Sequence, residues 1–243
     1  MNSQPVKSKL YGGRTALVTG SRRGIGKIIA DYFLAEGASV IGLAKGASTC
    51  NHQNYRHVQV DLAAATTVVA AIKSLKGSAY RLDTVINCAA VLTSQYALIM
   101  SVPAAQAMVN VNLLAPFLVS REAAKIMRTS KWGRIINISS MAAALEPVGD
   151  SIYAATKTGL VTMTNVMAKE LAALNITCNT LAVSAFDTEM LRQIPRVKID
   201  RIVDRLPLKR LASADDILNV VDFFASERSG YITAQTVFLG GIN

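Results

Sequence analysis

The sequence predicts an α/β fold: a doubly wound parallel sheet of about seven strands in a single domain. Three observations carry this expectation. Short apolar runs alternate along the chain with longer stretches of helical character, and such alternation closes into parallel strands joined by crossovers. A glycine-rich turn, Gly20-Ser21-Arg22-Arg23-Gly24-Ile25-Gly26, follows the first strand at once. The composition, 51% hydrophobic and 17% charged over 243 residues, can bury one sizeable core and cover both faces of a sheet.

The elements follow in order. Residues 1–10 are polar and expected to be mobile; the folded unit is expected over residues 11–243. The first strand is Thr15-Ala16-Leu17-Val18-Thr19, a buried apolar run with β-branched bias. Residues 27–36 have helical character, and Gly37 is a plausible stop. Further strands are expected at 38–43, 56–60, 84–87, 134–139, 177–182 and 236–239. Helices are expected at 63–75, 103–128, 152–174 and 215–224. No repeat, low-complexity tract or dividing linker stands out.

The glycine turn leads from a strand into a helix amino terminus. Glycines let backbone approach a pyrophosphate, and free N–H groups with the helix dipole attract its charge. The spacing is GxxxGxG. The next strand ends in Ala44 and Lys45, with no acid to hold a ribose 2′-hydroxyl, and Arg22 and Arg23 lie in the turn nearby. Cations attract a 2′-phosphate where an acid would repel it. The expected cofactor is therefore NADP(H) rather than NAD(H).

Tyr153 and Lys157 stand four apart, on one face of a helix. An ammonium near a phenol favours phenolate and lowers its pKa, so the phenol is expected to act as a general acid or base near neutrality.

Together these motifs resemble a classical short-chain dehydrogenase/reductase, from about Tyr11 to the end, and within that family the 3-oxoacyl-[acyl-carrier-protein] reductases. Thr19 to Gly26 match the family's TGxxxGxG; Ser21 to Ile25 thereby join the glycines as cofactor contacts. Asp61, followed by Leu62, matches the acid that contacts adenine, and Asn87-Cys88-Ala89-Ala90 stands where the family has NNAG. Asn112 matches the helix asparagine, Ser140 the catalytic serine, and Thr188 the threonine that contacts the nicotinamide amide. The resemblance implies a Rossmann-type sheet. It implies that Tyr153 is the general acid and that Ser140 holds the substrate oxygen. Lys157 would stabilise tyrosinate and hold the nicotinamide ribose, and Asn112 would position a water that relays protons. It also implies a flexible cover over the substrate at about 185–212. A homotetramer built through the helices bearing Asn112 and Tyr153 and the last strand is implied as well.

Four departures bear on the substrate. NNAG becomes Asn87-Cys88-Ala89-Ala90, and the usual Pro-Gly after the sixth strand is Val183-Ser184. Of two basic residues by which carrier-protein reductases dock their partner, Lys131 keeps one and Leu174 replaces the other. Asp150 stands where these reductases commonly have glutamine. It is expected either to cap the helix, the favoured role, or to face a hydroxyl or amino group on the substrate.

The net charge is +10, and Arg192, Arg196, Lys198, Arg201, Arg205, Lys209 and Arg210 gather after the sixth strand. They form either a cationic rim for a phosphopantetheine carrier or coenzyme A, or a solvated helix face, since Lys198, Arg201 and Arg205 have helical spacing. No nucleic-acid reader motif is present. The amino terminus has no apolar h-region, and no run of about 18 apolar residues exists, so neither a secretory signal nor a membrane span is expected. Cys50, Cys88 and Cys178 lack metal spacing and suggest free thiols in a cytoplasmic or organelle-matrix setting, and no metal site is expected. The leading expectation is NADPH-dependent reduction of a 3-oxoacyl thioester linked to acyl carrier protein or coenzyme A. The alternatives are a pathway-specific enzyme for a small polyol, ketone or specialised metabolite, and a silent cofactor-binding scaffold.

Overall fold

Seven strands form one sheet in the order β3-β2-β1-β4-β5-β6-β7 in the computed structural model, which describes residues 9–77, 81–189, 191–193 and 196–241. Most of the segment expected to be mobile, residues 1–8, lies outside the described residues, as do 190, 194 and 195 of the expected cover. The strands are β1 (Thr15–Thr19), β2 (Ser39–Ala44), β3 (Tyr55–Gln59), β4 (Leu82–Asn87), β5 (Gly133–Ser140), β6 (Ile176–Val183) and β7 (Thr236–Phe238), and every pairing is parallel. The order turns at β1, which pairs with β2 on one side and β4 on the other. Parallel sheets bind ligands at the carboxyl ends of the strands flanking such a switch.

Helices cover both faces. They are α1 (Gly24–Ala35), α2 (Ala65–Lys73), α3 (Val102–Val109), α4 (Ala115–Met127), α5 (Ala142–Leu145), α6 (Ser151–Leu171), α7 (Arg196–Arg205) and α8 (Ala214–Ala225). Strand side chains alternate between the faces. Leu17, Ile41, Val85 and Ile135 join Val68 and Ile72 of α2, Val119 and Met127 of α4, and Met167 of α6. Val18, Val40, Ile86 and Ile136 join Ile29 and Phe33 of α1 and Val221 and Phe224 of α8. Each of these buried aliphatic and aromatic side chains contributes about 1.5–3 kcal/mol.

The stretch expected as one helix at 103–128 is interrupted. Between α3 and α4, Asn110–Leu114 forms a π-turn, a widening that often marks a functional position. Val102–Met127 as a whole is long and apolar enough to cross a bilayer by length and composition, which corrects the expectation that no stretch qualifies. Hydropathy alone would single it out; here it packs against β4, β5, α2 and α6. After β6 the chain makes an excursion that leaves and returns at one point, where Phe186 bridges Ala212 and the Ala212 N–H donates to the Ala185 carbonyl at 2.8 Å. Next, α8 opens on a capping box: Ser213 accepts from the Asp216 N–H while Asp216 accepts from the Ser213 N–H.

Candidate active site

The glycine turn sits at the carboxyl end of β1. Gly20 has φ +72°, and a side chain there would crowd the Ala89 backbone at 3.0 Å. A Cβ on Gly26 would lie 2.4 Å from the Gly20 carbonyl oxygen, so only glycine allows α1 to start this close to β1. No acid stands in the first turn of α1, and the side chain of Arg23, at its N-cap, makes no capping bond. The free N–H groups therefore offer an anion site. Thr19 Oγ1 accepts from the backbone N–H of Cys88 at 3.0 Å and of Ala89 at 3.1 Å, drawing the chain after β4 against the turn.

Around this turn the predicted residues divide. Ser21 is buried, and its hydroxyl hydrogen-bonds Tyr55 at 2.9 Å. Ile25 packs against the core. Arg22 Nε donates to the Ala47 carbonyl at 2.5 Å and holds the loop after β2, while Arg23 ion-pairs with Glu189 beyond β6. Lys45 reaches Asp61 at 2.8 Å, and this pairing holds the Asp61 carboxyl below its usual range. Asp61 also accepts from the Ala63 N–H at 3.0 Å, and Leu62 beside it is buried. Thr188 lies against Gly24, its Oγ1 accepting from the Leu191 N–H at 3.1 Å. The Asn87 amide nitrogen is spent inside the fold, donating to Ser120 at 2.9 Å and to Asn137 at 2.8 Å, while its Oδ1 is buried with no hydrogen-bond partner among the described residues.

Ser140 ends β5, and Tyr153 lies in the first turn of α6. The Ser140 hydroxyl accepts from the Ala142 N–H at 3.2 Å, and its own hydrogen bond to Tyr153 favours phenolate. Burial outweighs that bond and pushes the Tyr153 phenol up to about 12. Lys157 is also buried; its ammonium donates to the Ile138 carbonyl at 2.9 Å and lies 5.8 Å from the centre of the Tyr153 ring. Burial brings it down to about 8. This corrects the expectation that Lys157 sets a lowered phenol pKa: dehydration of the ring dominates, and the lysine is tied to β5.

Asn112, in the π-turn, clamps the chain after β4 from both sides. Its Oδ1 accepts from the Val91 N–H at 2.8 Å and its Nδ2 donates to the Val91 carbonyl at 2.9 Å, with a longer bond to Thr156 of α6 at 3.3 Å. Asp150 occupies the N-cap position of α6, but its side chain makes no capping bond and its Oδ1 is buried with no hydrogen-bond partner among the described residues. The favoured capping role is thereby corrected. Cys88, a departure from the family's motif, lies near Tyr153 and Lys157, and burial raises its thiol to about 12. Nothing local in the sequence signals that proximity.

The sequence pattern of the family described as short chain dehydrogenase matches residues 14–198. The chain is 33% identical over 238 residues to a 3-oxoacyl-[acyl-carrier-protein] reductase of Pseudomonas aeruginosa, covering 94% of this chain and 96% of that one. It is 30% identical to the enzyme of the same description from Aquifex aeolicus, with coverage of 94% and 96%. Among solved structures, a gluconate 5-dehydrogenase from Burkholderia cenocepacia, in complex with NADP and tartrate, superposes with a TM-score of 0.87. It is 27% identical and covers 96% of each chain.

Proposed function

We propose, from the premise that this chain belongs to the short chain dehydrogenase family, that it uses NADP(H) to interconvert a ketone and a secondary alcohol. The observation that carries this is the meeting of Ser140, Tyr153 and Lys157 beside the glycine turn. Thr19, at the head of the turn, accepts from the Cys88 and Ala89 N–H groups, and Lys157 donates to the carbonyl of Ile138 in β5, the strand that Ser140 ends.

The residues fit the cofactor. Gly20, Gly24 and Gly26 leave the backbone room that a pyrophosphate needs, and Arg22 and Lys45 place cations at the end of β2 where a 2′-phosphate would lie. Asp61 and Leu62 would hold the adenine, and Ala89, Thr188 and Lys157 the nicotinamide end. When bound, NADPH supplies the hydride that reaches the carbonyl carbon. Tyr153, protonated at neutral pH, donates the proton to the carbonyl oxygen. Ser140 donates a hydrogen bond to the same oxygen and fixes it. Lys157 stabilises the tyrosinate left behind. Asn112 holds the Val91 segment in place, and a water beside it would pass protons to Lys157.

The curated relatives support a 3-oxoacyl thioester as substrate, with acyl carrier protein as partner. Arg201, Arg205 and Lys209 make no ion pair among the described residues and would serve an anionic carrier, and the excursion at 185–212 would cover the site. Arg192, Arg196 and Arg210 are instead paired with Asp187, Asp200 and Asp216, which weakens the cationic rim; the side chain of Lys198 lies outside the described residues. The gluconate 5-dehydrogenase likeness supports a hydroxylated small ketone.

NADPH oxidation with acetoacetyl thioesters and a panel of free ketones tests the activity. Tyr153→Phe is expected to lose 10²–10⁴-fold in turnover, about 3 kcal/mol or more of barrier. Wild-type turnover in that variant would refute the assignment.

A further inference from the structure

Three cations stand in the glycine turn and at the end of β2, and two are already paired: Arg23 with Glu189 and Lys45 with Asp61. Arg22 is different. Its Nε donates to the Ala47 carbonyl at 2.5 Å, and its two terminal nitrogens have no hydrogen-bond or ion-pair partner among the described residues. The guanidinium lies against Gly46, where any side chain would overlap it. Thr49 Oγ1 donates to the Arg22 carbonyl at 3.0 Å. The loop after β2 therefore holds this arginine at both its backbone and its side chain.

The loop is held in turn by the edge strand β3. Tyr55, His57 and Gln59 alternate along it and share one face. Gln59 Nε2 donates to the Lys45 carbonyl at 3.0 Å, and His57 Nε2 lies 2.8 Å from the Gly46 carbonyl. A carbonyl only accepts, so Nε2 carries the proton. With the imidazole neutral, Nδ1 is then an acceptor. It takes the Tyr55 hydroxyl proton at 3.3 Å, and the Tyr55 oxygen accepts from the Ser21 hydroxyl at 2.9 Å. One relay thus runs from Ser21 through Tyr55 and His57 to Gly46, every donor pointing the same way. Gly42 gives it room, since a side chain there would overlap both the Tyr55 hydroxyl and Ser21 Oγ.

We propose that His57 is a positioning residue that seats Arg22, through Gly46, for the 2′-phosphate, so that β3 takes part in choosing NADPH over NADH. This rests on the NADP(H) reading above and deepens it. A guanidinium with two free nitrogens meets phosphate by a forked pair of hydrogen bonds, and it binds more tightly when its plane is fixed beforehand. NADH carries a hydroxyl at that position and gains nothing from the fixing.

Fluorescence titration measures Kd for NADPH and for NADH, with a melting transition confirming the fold of each variant. No ketone is needed, so the outcome is independent of the substrate. Wild type is expected to prefer NADPH by about 10- to 100-fold, the worth of charged hydrogen bonds. His57→Phe is expected to cut that preference at least about 5-fold by weakening NADPH, with NADH changed less than about 2-fold. His57→Gln, whose amide can donate to the same carbonyl, is expected to restore most of the preference. Gly46→Ala, at a backbone position outside the left-handed region, leaves β3 untouched and displaces Arg22 from the other side. It is expected to lower the preference likewise, and it carries the test should His57→Phe fail to fold. In an Arg22→Ala background, His57→Phe is expected to change the preference no further. An unchanged preference in folded His57→Phe or Gly46→Ala would overturn the role of His57. Equal weakening of both dinucleotides would overturn it too, since the histidine would then only hold structure. So would a further loss of preference in the Arg22→Ala background. A wild type that binds NADH as tightly as NADPH would overturn the 2′-phosphate reading, and this inference with it.

Discussion

Lys157 donates to the Ile138 carbonyl while burial brings its ammonium down to about 8, and burial takes the Tyr153 phenol up to about 12. Near neutrality the pair is therefore phenol plus ammonium, the protonation that reduction consumes. The kcat/KM for ketone reduction is expected to be level below pH 7 and to fall as pH rises through about 8, where Lys157 loses its charge. A pH–rate profile checks this; a profile flat to pH 10 would contradict it. Stability carries the opposite sign. The folded Lys157 value lies below the ordinary 10.5, so the unfolded chain binds more protons between about 8 and 10.5. The burial penalty is full below that window and fades as pH rises through it. Tyr153 works the other way: its contribution is complete below pH 10 and lost as pH rises through about 12. Residue types and spacings made Ser140, Tyr153, Lys157 and Asn112 legible in the sequence as candidates. Their partners were not, because Val91, Ile138 and Cys88 contribute backbone groups or proximity that only the fold brings together.

At the level of elements, strand positions were legible because a sheet covered on both faces needs nearly continuous apolar runs. Ends were less so: β5 and β6 extend past the apolar stretches expected at 134–139 and 177–182, since main-chain pairing continues to Ser140 and Val183. The π-turn at Asn110–Leu114 left no mark in the pattern, as a single widened turn barely disturbs helical periodicity. Short α5 was missed for the same want of length, and at α7 only a helical spacing of charges could be noted. The junction of β1 and α1 is where an element-scale change would tell most. Gly26→Ala puts a methyl 2.4 Å from the Gly20 oxygen, backbone against backbone, so α1 must retreat. The expected outcome is a loss of about 1–3 kcal/mol of stability and at least about 10-fold weaker NADPH binding. Thermal melts and fluorescence titration would measure both, and unchanged NADPH affinity would contradict the role given to the turn.

The molecule as a whole leaves apolar side chains in solvent along the Val102–Met127 helix and its neighbour α6. Val109, Leu114, Phe117 and Val166 are all exposed. The homotetramer implied by family resemblance would cover them. Light scattering is expected to report four copies, and Phe117→Arg, which forces a charge into that seam, to yield smaller species with the monomer fold intact. A wild type that runs as a monomer would refute the assembly.

The sheet order also governs how the chain reaches this shape. Thr15 pairs with Ser39 on one side and Leu82 on the other, and parallel neighbours cannot be zipped together from a hairpin. As the polypeptide leaves the ribosome, β1 keeps one bare edge until the whole of β4 has emerged. During that interval its Val18 and Leu17 side chains and unpaired amides are open to improper pairing. The same arrangement that gathers the chemistry at one rim thus makes birth, rather than catalysis, the moment at which this protein is most exposed to aggregation.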